Sequence, residues 1–276
     1  MVKFVTNDII HSLAEKIQSL TYLASPEVQE RLNKIPTKVN EFGIDPFGFK
    51  PQFVKIPGLF AKFFYKYYFR AQTYGIENIP NGRCLLIANH SGQIPIDGMI
   101  IAISVFLEKH DPIMVRSMVE KWVARLPFVS IFFAKCGQIV GTPENCSRLL
   151  QNEECILAFP EGVKGISKPI SQRYQLQEFG LGFMRLALAN KTPIVPVSVI
   201  GAEEQIISIG KAETLAKLLD MPPIPIPLLG PFGMIPLPVK YRLYFGKPLY
   251  FSGDFNDEDF VIEKKVLAVK SAIQNM

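Results

Sequence analysis

Apolar positions at the start of the chain recur at helical spacing. Ile9, Leu13, Ile17 and Leu20 fall on one face and predict an amphipathic helix. Ser25-Pro26-Glu27 reads as an N-cap with proline in the first turn, so a second helix runs towards Ile35. Residues 41–51 (EFGIDPFGFKP) are turn-rich and mark a border. From Gly75 the texture changes. Short apolar runs at 84–89, 112–116, 155–159 and 194–200 predict buried strands, and 97–107, 119–133, 144–152 and 181–190 predict helices between them. This alternation predicts an α/β domain, a mostly parallel or mixed sheet flanked by helices. Residues 239–245 alternate with period two and predict a late edge strand, and 257–274 predict a closing helix. The expected organisation is an N-terminal helical extension (1–50), a basic aromatic segment (51–74) and the main domain (75–276).

Composition adds little until it is mapped. The chain has 276 residues with 48% hydrophobic content, which excludes disorder and supplies a core. The net charge of +5 is small, but residues 46–76 contain no Asp or Glu and carry Lys50, Lys55, Lys62, Lys66 and Arg70. Outside that window, basic and acidic residues balance. Lys62, Lys66 and Arg70 fall four apart, a one-sided stripe among Phe60, Phe63, Phe64, Tyr65, Tyr67, Tyr68 and Phe69. Such a helix suits an anionic headgroup layer, so these three cations are expected to face a membrane surface. Nucleic acid is not expected, since no recognition motif accompanies the charge.

Cys84, Cys136, Cys146 and Cys155 form no C-x-x-C pair, so reduced thiols of a cytoplasmic protein are expected and no metal site. Asp8, His11 and Glu15 stand where a secretory signal needs an apolar run. Residues 98–107 and 126–134 are too short to cross a bilayer, which takes about 20 apolar residues. Residues 222–239 are long enough but contain seven prolines, which excludes an ordinary spanning helix and leaves an interfacial role open for that loop.

Candidate chemistry lies where polar residues end apolar strands, the place where open α/β sheets bind ligands. His90 follows the first strand, and Asp97 lies seven positions on. On a continuous helix that offset would separate them by about 10 Å. Gly92 and Pro95 argue for a loop that brings Asp97 back to orient a general-base imidazole. The alternative is that Asp97 only caps the next helix. No G-x-S-x-G occurs, so the dyad would activate a substrate hydroxyl or water directly. After the strand at 155–159 come Phe159, Pro160, Glu161, Gly162, Lys164, Gly165, Ser167 and Lys168. Two glycines there allow close backbone approach, and Lys164, Lys168 and Arg173 offer charge to an anion.

In order and spacing these stretches resemble the glycerolipid (phospholipid/glycerol) acyltransferase family. Asn89-His90 with Asp97 resembles its His…Asp block, Phe159-Pro160-Glu161-Gly162 its Phe-Pro-Glu-Gly block, and residues 193–199 its proline-containing last block. The match covers about residues 75–250. The resemblance implies transfer of a fatty acyl group from acyl-CoA or acyl-carrier protein to a lipid alcohol, with no cofactor beyond the donor. It implies His90 as base, Asp97 as its orienting partner, and Glu161 and Gly162 holding the acceptor. It also implies peripheral attachment to the cytoplasmic face of a membrane.

Two departures qualify it. The family usually separates His and Asp by four residues, whereas the six here resemble a subgroup with His-Ser-Gly-x-x-Pro-x-Asp-Gly. The family's Gly-x-x-Phe-x-x-Arg block is replaced by residues 137–143, with Val140 and Pro143 in place of Phe and Arg. Losing a bidentate guanidinium leaves acceptor phosphate to Lys164, Lys168, Arg116 or Arg125, or implies a neutral acceptor such as diacylglycerol or a long-chain alcohol. A thioester or lipid-ester hydrolase using the same dyad, or a lipid-binding module, are the rival readings.

Overall fold

The structure is a computed structural model that describes residues 26–36, 38–91, 94–166, 168, 170–212, 224–227, 232–233 and 235–276. The predicted helix at 9–20 lies outside the described residues. The second helix is α1 (Pro26–Lys34). It is followed by α2 (Lys55–Phe63), which continues into a π turn at Phe64–Tyr68.

Seven strands build the main sheet in the order β1-β9-β6-β2-β5-β3-β4. They are β1 (Gln72–Tyr74), β2 (Cys84–Ala88), β3 (Val115–Val119), β4 (Ile139–Val140), β5 (Cys155–Ala158), β6 (Ile194–Ile200) and β9 (Arg242–Phe245). β2, β3, β4, β5 and β6 are mutually parallel, and β9 runs antiparallel to β6, so the sheet is mixed, as expected. A separate ribbon pairs β7 (Ser208–Ala212) with β8 (Ile224–Pro227), part of the proline-rich stretch. The helices are α3 (Ile96–Glu108), α4 (Val129–Lys135), α5 (Pro143–Gln151), α6 (Gly162–Ile166), α7 (Gly182–Ala189) and α8 (Asp259–Gln274).

Every residue of β2 is buried, because helices cover both faces of the sheet. Cys84, Leu86 and Ala88 point into one core with α1, α2 and α3, while Leu85 and Ile87 point into the other with α5, α7 and α8.

Several elements depart from the sequence reading. The strand expected at 112–116 lies at Val115–Val119, since Pro112 has no N–H for a ladder. The helix expected at 119–133 is split into a 3₁₀ turn (Lys121–Arg125) and α4, because Pro127 forces Leu126 into an extended conformation. The late strand is not an edge: β9 sits between β1 and β6. The edge is β1, too short and too polar to signal itself, and it lies within the segment set apart as 51–74.

Candidate active site

The functional candidates gather at one edge of the sheet. His90 follows the C-terminal end of β2, Glu161 that of β5 and Glu120 that of β3, and parallel pairing brings those ends side by side. Antiparallel β9 turns Gln72 of β1 to the same edge, opposite Arg242. The chain from α2 to β1 therefore arrives where β2 ends.

Asp97 sits in the first turn of α3, fully buried. Its Oδ2 lies 2.8 Å from His90 Nδ1 and accepts the Ser91 N–H at 3.0 Å, while Oδ1 accepts the Gly98 N–H at 2.8 Å. It orients the imidazole from inside the first turn: the helix begins at Ile96 after Pro95, so Asp97 is not the N-cap of the alternative reading, although it accepts the Gly98 N–H of that turn. With Nδ1 turned to Asp97, Nε2 is left for a substrate, and it has no hydrogen-bond partner among the described residues. The imidazole stacks on Phe159 with ring centroids 4.1 Å apart, which fixes its plane. Asn89 holds the strand end: its side chain bonds both the N–H and the C=O of Val199 on β6. Tyr241 closes the layer below, donating to Gln205 Oε1 at 2.7 Å. Burial, and secondarily the Asp97 carboxylate, raise the Tyr241 pKa far above the usual phenol value, keeping it a neutral donor.

Glu161 does not face the site as the resemblance implied. Its Oε1 accepts the His90 N–H at 2.9 Å and its Oε2 the Gln177 N–H at 2.7 Å. Lys168 Nζ stands 3.6 Å from Oε2 and 2.7 Å from Glu203 Oε1, and also donates to the Gln175 carbonyl. Both carboxylate oxygens are therefore committed to the protein, and Glu161 braces the backbone of the residue that carries the imidazole. Gly165 serves the same contact: a Cβ there would come within 2.8 Å of Glu161 Cβ and 2.9 Å of His90 Cβ. The glycine admits His90, where the sequence suggested a ligand. Gly162 has φ +52 and its N–H returns to the Phe159 carbonyl, and Pro160 accepts from the Gly180 N–H. Gln177 carried no signal in the sequence, and Glu203 stood only among the polar residues after the 194–200 strand, a stretch that reads as core; each meets Glu161 or Lys168 only through the fold.

The expected anion-binding residues are mostly engaged elsewhere. Lys168 is buried in the pairs just described, and Lys164 lies on the surface, 3.0 Å from Glu178. Arg116 is buried with Asp45 at 2.7 Å and Glu154 at 3.0 Å and lies over Phe47 and Phe49, which removes it from the site. Ser167 lies outside the described residues. Thr142 caps α5 by accepting the Asn145 N–H, with Pro143 in its first turn, so a helix start replaces the family's arginine.

The basic stripe is partly engaged within the protein, with Lys66 and Arg70 still exposed. Lys62 Nζ lies 2.6 Å from Glu27 Oε2 of α1, Lys66 lies 3.9 Å from the same oxygen, and Arg70 donates to the Pro238 carbonyl. The Lys62 hydrogen bond, joined by the Lys62 and Lys66 charges, lowers the Glu27 pKa below 4.5. Three rings share the exposed face of this helix with Lys66: Phe60, Phe63 and Tyr67 are exposed by 64%, 52% and 68%. Sequence alone could not see Glu27 reaching across 35 positions.

Beside this edge a cavity of about 300 Å³ opens between β3, β4 and α4, lined mainly by apolar groups including Phe47, Val119, Val123, Phe133 and Val140. Among the described residues no helix is long and apolar enough to cross a membrane, and no cluster suits a metal ion.

Residues 70–200, from just before β1 through β6, match the Acyltransferase family. That stretch, a little under half of the chain, is similar to acyltransferases. Similar to this chain are an uncharacterized protein of Mycobacterium leprae, 40% identical over 217 residues (76% of this chain, 59% of that one), and one of Mycobacterium tuberculosis, 39% identical over 228 residues (79% and 64%). A Homo sapiens protein named DGAT1/2-independent enzyme synthesizing storage lipids is 27% identical over 205 residues (73% and 60%). The chain spans about three-fifths of the length of these relatives. The crystal structure of the 1-acyl-sn-glycerophosphate (LPA) acyltransferase PlsC from Thermotoga maritima shares the fold, with a TM-score of 0.54 at 15% identity over 100% of this chain and 97% of that one.

Proposed function

We propose that the protein is an O-acyltransferase that moves a fatty acyl group from acyl-CoA or acyl-carrier protein to a hydroxyl of a glycerolipid or lysophospholipid-type acceptor. The observation that carries this reading is the 2.8 Å His90–Asp97 contact, with Nε2 left unpartnered, in a chain similar to acyltransferases. Asp97 holds the Nδ1–H tautomer, so Nε2 takes the acceptor's hydroxyl proton as the oxygen attacks the thioester carbonyl. The tetrahedral intermediate collapses, the C–S bond breaks, and the proton passes from Nε2 to the departing thiolate. Asp97 stabilises the transient imidazolium, and Glu161 keeps the His90 backbone still during both transfers. The cavity beside β3 suits the apolar acyl tail. Such an acceptor resides in a bilayer, so the protein would work at the cytoplasmic face of a membrane.

The engagement of Lys168 and Arg116 favours a particular acceptor class. With Pro143 in place of the family's arginine and those cations paired internally, a neutral alcohol such as diacylglycerol fits better than an acceptor phosphate. The storage-lipid name of the Homo sapiens relative points the same way. Purified protein given labelled acyl thioester with lysophosphatidate, glycerol 3-phosphate or diacylglycerol, and products identified by mass, tests both parts. Ester formed on diacylglycerol alone supports the neutral reading, and on lysophosphatidate alone refutes it. Free acid released equally without acceptor makes the protein a hydrolase.

A further inference from the structure

We infer that the protein docks on an anionic lipid bilayer through two adjoining apolar ridges, one on α2 and a second on α4. The inference rests on the acyl-transfer reading only for its purpose, because binding is measured without turnover. The second ridge has no counterpart in the basic stripe. On α4 and its preceding residue, Phe128 is exposed by 84%, Ile131 by 56% and Phe132 by 43%. Phe128 also has φ +63, a conformation a bulky side chain rarely adopts.

The ridges are physically joined. Phe53, in the turn that leads into α2, packs edge-on against Phe132 with centroids 5.8 Å apart, and Lys135 lies over the Phe53 ring at 5.3 Å. Phe60, Phe63 and Tyr67 continue the exposed apolar surface along α2.

Charge says which partner covers it. Residues 121–143 contain no Asp or Glu and carry Lys121, Arg125 and Lys135, so a second acid-free segment lies against the acid-free window 46–76. A protein partner would need an apolar patch with acids around it, whereas a bilayer offers both over any area. Aromatic ridges flanked by cations match the boundary between acyl chains and anionic headgroups. α4 joins the two halves of the proposal: Ser130, Phe133 and Ala134 line the cavity while Phe128, Ile131 and Phe132 face outwards. A lipid tail would pass over this helix from the bilayer into the protein.

The test uses the full chain with flotation on vesicles of phosphatidylcholine, alone or with about one-third phosphatidylglycerol. Wild-type protein should float with the anionic vesicles and much less with neutral ones. Phe128→Ser/Ile131→Ser and Phe60→Ser/Phe63→Ser should each lower partitioning about tenfold or more. Unchanged partitioning of the α4 variant, or equal binding to neutral vesicles, overturns the inference. Trp122, the single tryptophan, gives a readout on wild-type protein that needs no variant. Lipids with brominated acyl chains should quench it in anionic vesicles, and absence of quenching counts against docking through α4. Sedimentation velocity separates the rival occupant: a dimer dissolved by Phe128→Ser/Ile131→Ser, with vesicle binding intact, assigns the face to a second copy. On dispersed short-chain substrates the α4 variant should turn over like wild type. Binding without any turnover would refute the acyl-transfer reading and leave the docking face standing.

Discussion

The strand ends and the helical shoulder depart from the usual partition of side chains in opposite directions. Around His90 the protein buries Asp97, Glu161 and Lys168, residue types that normally stay in water. On α2 and α4 it exposes Phe60, Phe63, Tyr67, Phe128 and Ile131, which normally leave it. The buried charges are tolerable because their partners come from within: Asp97 and Glu161 accept hydrogen bonds on both oxygens and Lys168 pairs with Glu203. The exposed rings are left only partly covered by one another, and the proposed bilayer would complete their burial. A closed polar network organises chemistry, and an open apolar ridge organises contact.

This contrast can be broken by substitution, and the largest effect belongs to the imidazole. His90→Ala should lower kcat by about 10³-fold while the circular dichroism spectrum stays native, with a modestly lowered melting temperature because buried Asp97 loses the Nδ1 contact and Phe159 loses the stacked ring. Retained activity would remove the dyad from the mechanism. Glu161→Ala should lose both activity and about 3 kcal/mol of stability in urea titration, because Lys168 and two backbone N–H groups lose their acceptor. Glu161→Gln restores one acceptor only and should fall between. If it bound acceptor instead, its loss would raise KM without moving the unfolding midpoint.

Gly165→Ala sharpens the same side, forcing a methyl against His90 and Glu161 at a cost of about 1–3 kcal/mol, read as a lowered melting temperature with a matching drop in kcat. On the other side, Phe60→Ser should change stability by less than about 0.5 kcal/mol, since its ring packs little protein. A large loss would return that ring to the core.

The tie between α1 and α2 is weak as well. Glu27→Gln should cost less than about 1 kcal/mol, because the pair with Lys62 is partly exposed and screened. The Glu27 pKa is lower folded than unfolded, so its contribution is complete above 4.5 and is lost as pH falls through the folded value. Wild-type and Glu27→Gln stabilities should therefore converge in acid. Persistent divergence there would mean that the pair is not what holds α1.

Legibility followed the range of the interactions. β2, β5 and β6 announced themselves as apolar runs, because two-sided burial leaves no room for alternation. His90 and Asp97 were legible because polar residues at a strand end and a helix start are local features. β1 and β4 were not, being too short to carry a period. The role of Glu161 was misread for the same reason: its partners Gln177 and the His90 N–H lie 16 and 71 positions away.

The sequence by itself determined the α/β alternation, the two-faced core and the residues available for chemistry, since these depend on neighbours within a turn or a strand. Tertiary structure alone decided what each of those residues faces. Parallel pairing brought the ends of β2, β3 and β5 to one edge, turned Glu161 inwards to brace His90, and gave Lys62 and Lys66 to Glu27. The acid-free window thereby presents its rings beside Lys66 and Arg70, while Lys62 is drawn in to Glu27. Contacts between distant segments depend on how layers stack, and no local period encodes that.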